Sequence, residues 1–90
     1  MRRFLVATQT GGVTSAVKYE HHQIIDADDA DDAVSKYNQV SGGHYGTAIA
    51  YIPTEAVVKH VRSGPVDAKM MEYLYKREAL RPVYDPRGDE

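Results

Sequence analysis

The stretch Gln23-Ile24-Ile25-Asp26-Ala27-Asp28-Asp29-Ala30-Asp31-Asp32-Ala33-Val34-Ser35-Lys36-Tyr37-Asn38-Gln39-Val40-Ser41-Gly42-Gly43 holds the end of a strand, a helix start, one apolar helix face and a stop. Ile24 and Ile25 favour extended backbone, and the aspartates behind them favour a helix N-terminus, where free N–H groups and the dipole present positive charge. The helix should start near Asp28, with Asp28 and Asp31, or Asp29 and Asp32, as cap and third-residue partner. Ala30, Ala33, Val34, Tyr37 and Val40 fall on one stripe at helical spacing, leaving Asp32, Ser35, Lys36 and Gln39 outward. Gly42-Gly43 supplies the left-handed stop.

Working outward, Arg3 to Thr8 reads as a strand whose Phe4-Leu5-Val6-Ala7 centre is apolar on both faces, the pattern of a central strand. Gly11-Gly12 suits a tight hairpin, and Val13 to Glu20 alternates as the returning strand. The alternation breaks at His21-His22-Gln23, which predicts a bulge or bend. Downstream, His44 to Ile52 forms a third strand, with Tyr45, Thr47, Ile49 and Tyr51 on one face and Ala48, Ala50 and Ile52 on the other. A hairpin followed by a helix that carries the chain back sets this strand beside the first, giving the order 2-1-3.

After Pro53 the period changes. Thr54 caps a short helix, Glu55 to Ser63, with Val57, Val58 and Val61 inward and Gly64-Pro65 as its end. Asp67 caps a second, Ala68 to about Leu80, with Met70, Tyr73, Leu74 and Leu80 on one flank and Met71 and Tyr75 on the next. The expected fold is α+β: a small antiparallel or mixed three-stranded sheet of order 2-1-3, covered by one helix in the sequence β-β-α-β and followed by two C-terminal helices. Residues 1–81 make a single domain and residues 82–90 a polar, mobile tail.

Ninety residues bury only a modest core, for which oligomerisation is a common support. The absence of cysteine excludes disulfides, thiolate zinc sites and a cysteine nucleophile, and fits a reducing cytoplasm. The apolar run Phe4 to Ala7 is too short for a signal peptide or membrane span, so a soluble, cytoplasmic protein without membrane contact is expected. A net charge of -2, from 11 basic and 13 acidic residues, gives no global attraction to nucleic acid.

Several clusters invite chemistry. The aspartates from Asp26 to Asp32 lack calcium-loop spacing, since a loop starting at Asp26 needs glycine and glutamate where Asp31 and Tyr37 stand. His21 and His22 are adjacent on a strand and should point to opposite faces, and His60 has no histidine four residues away, so no metal site is expected. Gly42, Gly43, His44, Tyr45 and Thr47 form a glycine-rich segment whose open N–H groups suit a phosphorylated ligand, although the order helix, glycines, strand reverses that of a phosphate loop. Seven tyrosines against one phenylalanine and no tryptophan favour a binding surface, because tyrosine buries area while keeping a polar end. No catalytic triad order, HExxH or dinucleotide fingerprint is present, which disfavours an enzyme and implies no cofactor.

Arg3-Phe4-Leu5-Val6, the Gly11-Gly12 turn and the run Ile25 to Val34 resemble the opening of small phage-encoded accessory proteins, where a hairpin leads through an acidic turn into one helix. That resemblance implies a protein that blocks a host or defence component by binding it, or an oligomer that sequesters a nucleotide signal. The leading expectation is therefore a non-enzymatic binding protein with a protein partner, forming a homo-oligomer through Met70, Met71, Leu74 and Tyr75. The alternatives are a nucleotide or phosphorylated ligand near Gly42 to Thr47, and nucleic acid at Lys69, Lys76, Arg77 and Arg81.

Overall fold

Four consecutive apolar residues with no wet face belong where a sheet is covered on both sides, and Phe4, Leu5, Val6 and Ala7 are all fully buried. The computed structural model describes residues 2–10, 18–41 and 47–84. Its elements are β1 (Arg2–Thr10), β2 (Lys18–Ala27), α1 (Ala30–Ser41), β3 (Thr47–Tyr51), α2 (Glu55–Arg62), α3 (Ala68–Arg77) and β4 (Pro82–Tyr84). Strand order is β2-β1-β3-β4 and every neighbouring pair is antiparallel. The order 2-1-3 expected from connectivity stands, with β1 central.

The sheet runs one strand further, into residues read from sequence as the start of a tail. Ala50 pairs with Tyr84 and Tyr51 with Pro82, with an irregularity between them. Three residues beginning with proline show no strand period, and proline is tolerated at a sheet edge because it has no N–H to leave unpaired. Tyr84 packs against the cluster under α1. The expected Gly11-Gly12 hairpin turn and residues 85–90 lie outside the described residues.

Strand parity separates two cores. Phe4, Val6 and Ala50 face one way and pack with Ala27 against Ala33, Val34 and Tyr37 of α1. Leu5, Ile49 and Tyr51 face the other way and pack against Val57 of α2 and Met71 and Leu74 of α3. The two C-terminal helices are thus a second roof over the same sheet. This corrects the expectation that Met71 and Leu74 form a subunit contact: they are 1% and 5% exposed, covered by their own chain. Sequence periodicity shows that a flank is apolar but cannot say which surface covers it.

The helix ends follow their side chains. Asp29 caps α1, accepting from Asp32 N at 2.8 Å, while the Asp32 carboxylate accepts from Asp28 N, one residue ahead of the cap, at 3.3 Å. Val40, in the last turn of α1, is exposed, so the apolar stripe is buried only along its earlier turns. Thr54 Oγ1 accepts from Val57 N, and Asp67 Oδ1 accepts from Lys69 N and Met70 N. Beyond α3, Leu80 N donates to Tyr75 O and Ala79 N to Lys76 O, closing a Schellman turn with Ala79 at φ 52°. That turn stops α3 well before Pro82 and returns Leu80 to the core. Among the described residues no helix is long and apolar enough to cross a membrane.

Candidate functional site

The site begins at the break in strand alternation. β1 pairs Val6 with Gln23 and Thr8 with Glu20, so His21 and His22 together stand opposite Ala7. This is the bulge expected from the lost parity, and His21 takes the left-handed conformation at φ 58°. Because one residue is extra, Tyr19 and His22, three apart, both reach the α2/α3 side. On the α1 side, the Tyr37 hydroxyl donates to the His21 carbonyl at 2.9 Å and bonds the buried Thr8 hydroxyl at 2.7 Å. Burial raises the Tyr37 phenol above its ordinary value, while the Thr8 bond acts against that shift. One buried hydroxyl of α1 therefore braces a bulge whose side chains serve the opposite face.

On that face three tyrosines from three elements converge. The Tyr75 ring of α3 lies 4.9 Å from Tyr19 of β2 and 5.0 Å from Tyr51 of β3, and Tyr19 meets Tyr51 edge-on at 6.5 Å. Such tilted and edge-on pairs are the favoured aromatic geometries. They border a cleft of about 840 Å³ between the sheet and α3, with Gln9, Ile49, Met71 and Leu80 along its walls. That volume falls within the range of small-molecule sites. Gln9 Nε2 donates to the Tyr19 hydroxyl at 3.3 Å. The Tyr75 hydroxyl is buried beside the Tyr51 ring. Burial drives its pKa up, Tyr19 adds to the shift and Tyr51 offsets part of it, so the group stays a proton donor at neutral pH.

Charges of both signs edge the cleft, Lys69 and Lys76 with Glu72 between them on α3, and Glu20 on β2. Of the cations named from sequence, these two lysines reach the cleft, whereas Arg77 lies 3.7 Å from Glu78. Arg81 is exposed between α3 and β4. Gly42, Gly43, His44 and Tyr45 lie outside the described residues, and Thr47 opens β3 opposite Gln9, a cleft residue. Met70 and Tyr73 remain 44% and 55% exposed on α3, while Tyr75 lines the cleft.

No known family, curated protein or solved structure matches this chain.

A smaller cavity of about 350 Å³ adjoins the cleft at Tyr19, Glu20 and Ala68 and is lined also by His21, His22 and Val66. His22 is held neutral, its pKa lowered to about 4 by burial first, then by His60 and His21. His22 Nε2 and His60 Nε2 are both buried without a hydrogen bond among the described residues. Sequence reasoning missed Gln9, Tyr19 and Tyr51 as site residues, although the tyrosine excess signalled a binding surface. It set the histidines apart by strict alternation, which the bulge cancels.

Proposed function

We propose that this protein acts by binding rather than catalysis, and that its recognition element is the tyrosine cleft, which takes a planar small molecule of the nucleotide class. The observation that carries this reading is the convergence of Tyr19, Tyr51 and Tyr75 from β2, β3 and α3 on a cleft of about 840 Å³. Aromatic walls stack on any nucleobase, and Lys69 and Lys76 offer ammonium groups to an attached phosphate. Gln9 and the Tyr75 hydroxyl supply polar contacts within the same walls. The ligand expected from sequence near Gly42 to Thr47 is thereby moved to the sheet's α3 face.

The test is a thermal and chemical denaturation screen against nucleosides, mononucleotides and cyclic dinucleotides. A ligand at about a hundred times its dissociation constant adds roughly 2.7 kcal/mol of stability. That gain should shrink in Lys69→Glu with Lys76→Glu, whose exposed side chains carry no core packing. No stabilisation by any member at saturating concentration would remove the reading.

A second reading, capture of a host protein as the phage resemblance implies, is favoured by the exposed pair Met70 and Tyr73, one turn apart on α3. Apolar and aromatic side chains at that spacing are common anchors of protein contacts. Met70→Glu with Tyr73→Glu tests it together with the proposed homo-oligomer, because both replacements leave the core intact. Sedimentation unchanged by the pair of substitutions, and a monomer in both, would count against an assembly through α3.

A further inference from the structure

We propose that the smaller cavity beside the tyrosine cleft is the sugar subsite of the same ligand, taking the ribose of a ribonucleotide with the Glu20 carboxylate accepting hydrogen bonds from the sugar hydroxyls. This subsite rests on the nucleotide reading of the cleft and adds to it the identity of the sugar.

Continuity of the two spaces carries the inference. Tyr19, Glu20 and Ala68 line both the cleft of about 840 Å³ and the cavity of about 350 Å³. A base stacked on Tyr19 therefore has its sugar at the border that the two spaces share. Glu20 brings a half-exposed carboxylate to that border. A carboxylate only accepts, and the ribose diol offers two donors, so charge-assisted bonds to the 2′ and 3′ hydroxyls are the pairing its chemistry favours. The same negative charge repels a phosphate, which is directed instead to Lys69, the cleft residue that follows Ala68.

The bulge builds the subsite. In a regular strand His21 would face away from Glu20 and His22, yet all three line the one cavity. His21 Nε2 stands 4.0 Å from the Glu20 carboxylate, beyond hydrogen-bond length, so this contact does not use up the acceptor. His22 lines the cavity with its Nε2 buried and without a hydrogen bond among the described residues. Burial keeps that ring neutral at physiological pH, so it brings no cation to compete for Glu20. A sugar hydroxyl both donates and accepts, and thus suits the imidazole in either tautomer. Val66 and Ala68 add an apolar wall for the sugar carbons.

The experiment titrates the full chain with AMP, GMP, CMP and UMP and with their 2′-deoxy counterparts, following amide shifts by NMR. At least one ribonucleotide should bind about tenfold tighter than its deoxy form, the scale of a lost hydrogen bond to a charged acceptor. In Glu20→Ala that ratio should fall below about twofold, whereas Lys69→Glu should weaken both members of the pair and leave their ratio intact. The amides of Glu20, His22 and Ala68 should move more with the ribonucleotide than with the deoxy form, a readout in the unmodified protein that holds if a variant fails to fold. Equal affinity for the two sugars, or a preference that survives Glu20→Ala, would overturn the ribose subsite and leave the cleft in place. Binding of none of these nucleotides at millimolar concentration would overturn both.

Discussion

The two faces of the sheet are built from alternate residues of the same strands, yet they are finished differently. Under α1, Phe4, Val6, Ala27, Ala33, Val34, Tyr37 and Ala50 close into one cluster, and the hydroxyl of Tyr37 is spent on Thr8 and His21. Under α2 and α3, Leu5, Ile49, Tyr51, Val57, Met71 and Leu74 also form a core. Beside that core, however, remain the tyrosine cleft and, among the described residues, the buried Nε2 atoms of His22 and His60 without a hydrogen bond. A face that only has to stabilise satisfies its polar groups, whereas a face that binds keeps some in reserve. The contrast supports the proposal that the α1 side stabilises the fold and the α3 side serves recognition.

The largest test of that contrast is a pair of truncations. Phe4→Ala should cost about 3–5 kcal/mol, because α1 lies close on a filled core that has no room to relax. Met71→Ala, equally buried, should cost about 2–3 kcal/mol, the low end of its class, since α3 can settle toward the cleft. Urea denaturation of both variants measures the difference, and equal losses would break the comparison.

Next in size is an acid effect confined to the α2/α3 face. The folded protein holds His22 at about 4 against an ordinary 6.5, so the unfolded chain binds the extra proton between those values. Stability is then complete above pH 6.5 and is lost as pH falls toward about 4, by on the order of 3 kcal/mol. Urea titrations at several pH values should show this slope in the unmodified protein and a shallower one in His22→Gln. Identical slopes would mean that the histidine is not held neutral by its surroundings.

Tyr37→Phe sharpens the link between the faces. It removes the bonds to Thr8 and His21, leaves the Thr8 hydroxyl buried, and should cost about 1–3 kcal/mol. Because those bonds brace the bulge, the nitrogen-15 shifts of His21 and His22 should move in the same variant although Tyr37 lies on the far side of the sheet. Unchanged shifts of His21 and His22 would show that the bulge holds without α1.

The smallest effect lies at the end of α3. Ala79 occupies a left-handed position that glycine adopts without penalty, so Ala79→Gly should stabilise the protein by about 0.5–1 kcal/mol. A destabilisation measured by thermal unfolding would show that the Schellman turn is not the resting end of α3.

Much of this was legible in the sequence. The aspartate run, the apolar stripe of α1 and the doubly apolar centre of β1 agree with one another, and together they predict the order 2-1-3. The lost parity at His21 announced the bulge. The remainder was hidden for physical reasons. Pro82–Tyr84 is too short to show a period, so β4 was not visible. Met71 and Leu74 read as apolar, but a helical wheel cannot tell a partner subunit from the back of the same sheet. The cleft joins Gln9, Tyr19, Tyr51 and Tyr75, residues far apart in sequence that only the β1–β2 and β1–β3 registers bring together. His21 and His22 were set on opposite faces by a rule of strict alternation that a single extra residue suspends.

The division of labour between the faces is tested most directly by native-state amide hydrogen exchange, read residue by residue along α1 and α3 with and without a stabilising nucleotide. Amides of α1 should exchange only through global unfolding, whereas those of α3 should open at lower free energy and slow when the ligand is added. Amides of α3 exchanging as slowly as those of α1, unchanged by any ligand in the screen, would contradict a sheet with one closed face and one kept open for binding.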